Sequence, residues 1–340
     1  MRRLKILATA LLVSASGVRA DVPNVVVDLP PVFSLVSSVM QGVGTPKLLL
    51  RGNESPHNFA LRPSQRRDLG QADIIFWIGD GLTPWLEKAQ ASLTQTPISV
   101  ALGEQTGVVQ LSFREGAFFE KHDDHDDHDD RGGFNGHTEH NRAEKHENAA
   151  AHDGKDHQDH AGHDHAGLDP HFWLDPQNAI HWIYTIADIL SQKDPENAGT
   201  YYANATRTKA SLELLNKNIA QQLAPHRAER FLIVHDAFQY FEARFGLAAQ
   251  GAISDGHAAP PSAARILAIR KLMQDQKISC VFAEPGYNAK LLDNLISETS
   301  VRLKQLDPLG AGLPLDHTLY EAVLQNMADM MVACFTNDEG

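Results

Sequence analysis

Short apolar runs alternate with stretches of helical periodicity along this 340-residue chain, and this alternation limits the possible folds more than any other feature. The runs predict strands at 24–28, 46–50, 73–78, 98–102, 231–234, 247–252, 278–282 and 301–306. Helices are predicted between them at 32–42, 62–70, 84–92, 237–245, 261–275 and 290–299. Strands that alternate with helices form parallel sheets with crossover helices. We therefore expect an α/β protein with two lobes of the (βα)4 type.

The segment between the two sets of strands is predicted to be helical. It comprises residues 177–190 and then 195–223, and the second stretch has no Pro or Gly after Gly199. A helix of that length spans roughly 40 Å at about 1.5 Å per residue, long enough to run along both lobes. We expect an N-terminal lobe at 21–175, linker helices at 176–224 with a single long helix joining the lobes, and a C-terminal lobe at 225–340.

The composition changes abruptly between Glu120 and His165. This segment holds 11 of the 18 histidines and has 14 acidic against five basic residues, with almost no large apolar side chains. Such a composition cannot build a core, so we expect a disordered insert in the N-terminal lobe. Its imidazoles are candidate weak metal ligands that would gather or sense surplus metal, the alternative being a solvated segment with incidental binding. They are His122, His125, His128, His137, His140, His146, His152, His157, His160, His163 and His165.

The first 20 residues have the pattern of an export signal. Arg2, Arg3 and Lys5 precede an apolar stretch at 6–15, and residues 18–20 read Val-Arg-Ala, a small-x-small cleavage site. A membrane anchor is the alternative, but the apolar run is about half of the ~20 residues that a span needs. We expect a cleaved signal peptide at 1–20 and an exported protein that begins at Asp21.

The chain has two cysteines, Cys280 and Cys334. In an oxidising compartment the simplest interpretation is one disulfide, with free buried thiols as the alternative. The charge balance, 30 Lys and Arg against 43 Asp and Glu, argues against nucleic acid and favours cations as ligands.

Three of the seven histidines outside the insert stand where a metal site is expected. His57 follows the strand at 46–50, His235 ends the strand at 231–234, and His171 lies where the insert returns to the fold. Ligands bind at the carboxyl ends of parallel strands, an argument that also includes Glu284 and Asp307. Three imidazoles with one carboxylate suit Zn²⁺, whereas manganese would draw more oxygen ligands. His257 is undecided, and an incidental role is expected for His181, His226 and His317.

Five strings in order resemble the zinc-specific, ZnuA-like branch of the cluster A-I solute-binding proteins. They are Ser55-Pro56-His57 with Leu61-Arg62-Pro63-Ser64, Asp169-Pro170-His171-Phe172-Trp173-Leu174-Asp175, Val234-His235-Asp236-Ala237-Phe238, Cys280-Val281-Phe282-Ala283-Glu284-Pro285 and Leu306-Asp307-Pro308-Leu309-Gly310. The resemblance covers residues 24–335. It implies two lobes linked by one long helix, a metal bound between them, and delivery to an ABC permease in the inner membrane.

Residue by residue, the resemblance implies that His57, His171 and His235 are the imidazole ligands. Asp307 matches a position that supplies a carboxylate in several relatives, with water as its competitor. Some zinc relatives have Glu before the first histidine, where this chain has Pro56. Glu284 would orient a ligand. The resemblance also supports pairing Cys280 with Cys334 and places a His-rich loop at 120–165.

The leading hypothesis is thus a monomeric periplasmic zinc carrier for an ABC permease, with a periplasmic zinc chaperone as a further candidate partner. One alternative is a zinc storage or chaperone protein that works through its His-rich loop. The other is a zinc hydrolase, since three histidines and an open position can activate water. The chain has no His-Glu-x-x-His and no Gly-x-Ser-x-Gly, so we expect no enzyme activity.

Overall fold

The structure is a computed structural model that describes residues 22–51, 54–114, 118–119, 167–275, 277–287, 289–297 and 299–337. The predicted signal peptide and the His-rich insert at 120–165 lie outside the described residues. The strands are β1 Val25–Val27, β2 Lys47–Leu48, β3 Ile74–Trp77, β4 Ile98–Ala101, β5 Phe231–His235, β6 Ala252–Ser254, β7 Cys280–Ala283 and β8 Arg302–Gln305. The helices are α1 Pro30–Val39, α2 Pro63–Gly70, α3 Pro84–Gln90, α4 Pro176–Lys193, α5 Ala198–Leu223, α6 Gln239–Phe245, α7 Ala263–Asp275, α8 Ala289–Ile296 and α9 Leu319–Thr336.

The strands form two four-stranded sheets, one in each lobe. Their orders are β2-β1-β3-β4 and β6-β5-β7-β8, and every neighbouring pair is parallel. The central strands β1, β3, β5 and β7 are buried along their whole length, as parallel strands covered on both faces must be. The predicted fold class, two α/β lobes with parallel sheets, is confirmed.

The linker consists of α4 and α5. Asp175 caps α4 by accepting the Gln177 N–H, and Pro176 occupies the first turn, where its missing N–H costs nothing. The 26 residues of α5 span about 39 Å and pack against α1, α4 and α9. The same buried apolar cluster contains Phe76 of the first sheet, Trp182 of α4 and Phe231 of the second sheet. The lobes therefore share a core through the linker, as the predicted single long helix requires.

Two elements differ from the sequence prediction. The strand predicted at 247–252 is observed as β6 at Ala252–Ser254. It begins later than predicted because residues 247–249 form a loop after α6. Gly246 ends α6 in the left-handed region at φ +73°, and the Glu242 carboxylate then accepts the Ala249 N–H at 2.8 Å. The helix α9 at Leu319–Thr336 was not predicted, since no strand or helix was predicted after residue 306.

The predicted disulfide is present. Cys280 in β7 is bonded to Cys334 in α9, with their Cα atoms 6.2 Å apart, so the last helix is tied to the second sheet.

No helix within the described ranges combines the length and the apolar character needed to cross a membrane.

Candidate metal site

Three histidines from distant parts of the chain meet between the lobes. His57 lies in the loop after β2, His171 precedes a short turn of 3₁₀-helix, and His235 is the last residue of β5. Their ring centroids are 5.6 Å apart for His57 and His171, 5.6 Å for His57 and His235, and 5.1 Å for His171 and His235. One nitrogen of each ring lies within 4.8 Å of the others. The structure thus brings together the three imidazoles that the sequence analysis singled out.

Carboxylates hold two of these rings by their Nδ1 atoms. Asp169 Oδ1 lies 2.7 Å from His171 Nδ1 and also accepts the His171 backbone N–H at 3.0 Å. Glu284 Oε2 lies 2.9 Å from His235 Nδ1. A proton on Nδ1 that is shared with a carboxylate favours the tautomer in which Nε2 carries the lone pair. His235 Nε2 also lies 3.2 Å from the Gly256 carbonyl oxygen and would have to give up that contact to bind a metal. Glu284 thus lies in contact with a proposed ligand, and its role in orienting that ligand stays a prediction.

His57 is held through its loop. Trp85 of α3 donates its indole N–H to the Pro56 carbonyl at 2.7 Å and packs against Phe59, with ring centroids 5.1 Å apart. The His57 Nε2 atom is buried and has no hydrogen-bond partner among the described residues. A buried polar atom without a partner is costly, and a metal ion in the cavity would satisfy it.

The surroundings shift the pKa values of the three imidazoles in different directions. Burial, together with the neighbouring His171 and His235, lowers the pKa of His57 to about 2. Burial also holds the pKa of His171 well below its ordinary value. Burial opposes charge on His235 as well, but the Glu284 carboxylate outweighs it and raises the pKa of His235 to about 9.

The pKa values of the two carboxylates, Asp169 and Glu284, are also shifted in opposite directions. Burial raises the pKa of Asp169 to about 7. Burial acts in that direction on Glu284 too, but the adjacent His235 outweighs it and lowers the pKa of Glu284. The Glu284 and His235 pair therefore favours a charged carboxylate, and His57 favours a neutral imidazole that can bind a cation.

The donor set fits zinc. Zinc accepts imidazole nitrogens at about 2.0–2.1 Å in a tetrahedron, which places them about 3.3 Å from one another. The nitrogens here lie within 4.8 Å, so small side-chain movements bring them to that spacing. The cavity has a volume of about 240 Å³ and is lined by residues of both lobes, which leaves room for a fourth ligand.

Asp307 lines the same cavity but is not part of the close group. One carboxylate oxygen accepts the N–H groups of Leu309 at 3.0 Å and Gly310 at 2.8 Å, and the other accepts that of Ala311 at 2.6 Å. The carboxylate thus shapes its own loop, and it would have to share an oxygen with a bound ion. Its role as a ligand stays a prediction, with water as the alternative.

The other described histidines lie outside the close group. His257 is exposed and stacks on Phe113, with ring centroids 4.4 Å apart. His181 lies on α4, His226 packs against Phe335, and His317 contacts Gln41. The eleven histidines of the insert lie outside the described residues.

Sequence reasoning missed Asp169 as the partner of His171. The signal was present in the string Asp169-Pro170-His171, because an Asp two residues before a ligand can reach both its backbone N–H and its ring. Asp169 was not considered because it follows the insert and does not lie at the carboxyl end of a predicted strand.

Two α/β lobes with parallel sheets share a long helix and face each other across a cluster of three imidazoles. This arrangement defines a two-lobed solute-binding protein. Comparison with known proteins gives the family. The family model described as "ZnuA: Zinc-uptake complex component A periplasmic" matches residues 25–334. The chain belongs to this family.

Relatives match over nearly their whole length. The high-affinity zinc uptake system protein ZnuA of Brucella suis biovar 1 is 41% identical over 332 residues, 97% of each chain. The protein of the same name from Paracoccus denitrificans is 39% identical over 334 residues, 98% of each chain. A solved structure described as the crystal structure of ZnuA covers 91% of this chain and 99% of its own, with a TM-score of 0.66 at 23% identity, and so shares the fold.

Proposed function

We propose that this protein is the periplasmic zinc-binding component of an ABC importer. It captures Zn²⁺ between its lobes and delivers the ion to an inner-membrane permease. The observation that carries this proposal is the close group of three imidazoles, two buried and one half-buried, which come from both lobes; carboxylates hold two of them. Membership of the ZnuA family, whose relatives are named for high-affinity zinc uptake, supports the same conclusion.

The proposed ligands are Nε2 of His57, His171 and His235, with Asp307 or water in the fourth position. Asp169 and Glu284 hold the Nδ1 atoms of two rings and make Nε2 more basic. This chain has Pro56 where some zinc relatives have Glu, so that carboxylate does not compete with Asp307 or water for the ion.

The division of the chain follows the elements. We assign the N-terminal lobe with β1–β4 to residues 21–175, the linker helices to 176–224 and the C-terminal lobe to 225–340, after a cleaved signal peptide at 1–20. The positions of β1–β8, α4 and α5 support these boundaries. A monomer is proposed, because each lobe contributes to one site within a single chain.

The ligand assignment is tested by measuring zinc affinity and stoichiometry with a competing chelator on the mature full-length protein. The double variant His57→Ala/His235→Ala should lose the tight site while weak binding by the insert remains. The loss should exceed the ~10–100-fold typical of removing an outer partner. The matched control is His181→Ala/His317→Ala, which removes two histidines outside the site and should keep it. Unchanged tight binding in the first variant would refute the site.

A second measurement separates a carrier from a storage protein. Deleting residues 121–162 should leave one tight zinc site and remove the weaker ones, because imidazoles that belong to no preformed site lose conformational entropy when they bind a metal. Loss of the tight site on deletion would favour storage or chaperoning through the His-rich insert.

A further inference from the structure

A buried ion-pair cluster adjoins His235. Asp236, the next residue, accepts two hydrogen bonds from Arg114 Nε, at 3.0 and 3.2 Å, and a further one from Nη2. Glu242 accepts from Arg114 Nη1 at 2.8 Å and from Nη2 at 3.0 Å. Both carboxylate side chains are 3% exposed and that of Arg114 is 16% exposed. The guanidinium therefore fixes the chain immediately after a proposed metal ligand.

Arg114 belongs to the outgoing segment, residues 111–114 and 118–119, which leads from the N-terminal lobe into the insert. This segment is bound to the C-terminal lobe at both ends. Leu111 donates its N–H to the Tyr240 hydroxyl at 2.9 Å, and Phe119 donates its N–H to the Gln250 carbonyl at 3.1 Å. The guanidinium also lies 3.9 Å from the centre of the Phe119 ring. The outgoing segment is thus anchored on the lobe that carries His235.

The residue before Arg114 reaches the other side of the same histidine. Gly256 places its carbonyl oxygen 3.2 Å from His235 Nε2. Phe113 packs directly on Gly256, since a Cβ atom added at Gly256 would clash with Phe113 Cε1. Two consecutive side chains of the outgoing segment therefore contact the residue after His235 and the backbone facing its Nε2.

From these contacts we propose that Arg114, assisted by Phe113, is a positioning residue for the metal site. It holds the turn after His235 so that this imidazole lies against the other two. The inference rests on the proposed zinc-binding function. The Arg114 fork matters because it spans two carboxylates in a fixed plane, which a lysine cannot do.

A second ion pair, between Arg244 and Asp175, serves as a control that distinguishes an effect of Arg114 on the metal site from an effect on stability alone. Arg244 donates to both oxygens of Asp175 at 2.7 and 2.6 Å, also as a half-buried fork, but it touches no neighbour of His235. Replacing either arginine should destabilise the protein, whereas only Arg114 should affect the metal.

The test uses the mature full-length protein with one equivalent of metal, in the variants Arg114→Met, Arg114→Lys, Phe113→Ala and Arg244→Met. Zinc affinity is measured by chelator competition, ligand geometry by the visible absorption bands of bound Co²⁺, and folding by thermal unfolding of the metal-free protein. We expect Arg114→Met to bind zinc about 10–100-fold more weakly and to shift the Co²⁺ bands, since outer partners have effects of that size. Arg114→Lys and Phe113→Ala should give smaller losses, and Arg244→Met should match the parent.

Parent-like affinity and Co²⁺ bands in Arg114→Met would overturn the inference while leaving the proposed function intact. An equal loss in Arg244→Met would overturn it as well, because the effect would then be one of stability. If Arg114→Met does not fold, Phe113→Ala decides in its place: weaker zinc binding supports the inference and parent-like binding contradicts it. Absence of tight zinc binding in the parent would instead refute the proposed function.

Discussion

At the scale of the residue, two carboxylates hold imidazoles of the proposed site. Glu284 lies beside Nδ1 of His235, and Asp169 lies beside Nδ1 of His171. We therefore expect the affinity for zinc to depend on these carboxylates as well as on the imidazoles. The Glu284 carboxylate outweighs burial and raises the pKa of His235, whereas burial and the neighbouring imidazoles lower the pKa of His57.

Replacing Glu284 tests this dependence. Glu284→Ala should weaken zinc binding by about 10–100-fold, because the His235 ring loses the partner that orients it. Chelator competition measures the change. The matched control is Glu213→Ala, since Glu213 pairs with Lys209 on the surface of α5 at 3.4 Å. Equal affinity in the two variants would contradict the orienting role.

Asp28, at the end of β1, provides a pH-dependent prediction. Burial raises the pKa of Asp28 to about 7, although its carboxylate accepts the N–H groups of Leu29 at 2.8 Å and Ile78 at 2.9 Å. An unfolded aspartate has a pKa of about 3.9, so the folded protein binds more protons between these values. The contribution of Asp28 to stability is complete below about pH 4 and is lost as the pH rises to about 7.

Urea unfolding of the metal-free protein at several pH values measures this effect. The stability of the parent relative to Asp28→Asn, which cannot ionise, should fall steadily from pH 4 to pH 7. A stability difference independent of pH over that range would show that Asp28 ionises as it does in water.

The sequence allowed the three imidazoles to be predicted because each marks a change in the chain pattern. His57 and His235 follow apolar runs, and His171 ends a segment of biased composition. Asp169 could have been found from the string Asp169-Pro170-His171, because its contacts with His171 are local. Arg114 could not, because its partners Asp236 and Glu242 lie 122 and 128 residues further along the chain, which no local pattern encodes.

At the scale of the element, the alternation of strands and helices was predictable because fully buried parallel strands have to be continuous apolar runs. The strand β6 was misplaced because Leu247–Ala249 is as apolar as a strand, while the Glu242 side chain binds its backbone. The helix α9 escaped prediction although it packs against both α1 and α5.

The disulfide between Cys280 and Cys334 links two elements and can be removed by substitution. It joins α9 to β7, the strand that leads to Glu284. The double variant Cys280→Ser/Cys334→Ser should be less stable by about 4 kcal/mol, the chain-entropy value for a loop of this length. Urea unfolding under oxidising conditions measures the loss, and the reduced parent serves as the control. A variant as stable as the oxidised parent would contradict this prediction.

At the scale of the whole molecule, zinc capture depends on the two lobes contributing to one site. His57 belongs to the N-terminal lobe and His235 to the C-terminal lobe, while α5 holds the lobes in one continuous core. The strong acidity of the chain is concentrated elsewhere, since residues 120–165 alone carry 14 acidic side chains. We therefore expect one tight site between the lobes and separate, weaker binding by the insert.

The most direct test of the central claim is a crystal structure of the protein loaded with one equivalent of zinc, with anomalous data collected on both sides of the zinc absorption edge. We predict one strong anomalous peak between the lobes, within about 2.0–2.1 Å of Nε2 of His57, His171 and His235. A strong peak bound elsewhere, with none among these three imidazoles, would contradict the account.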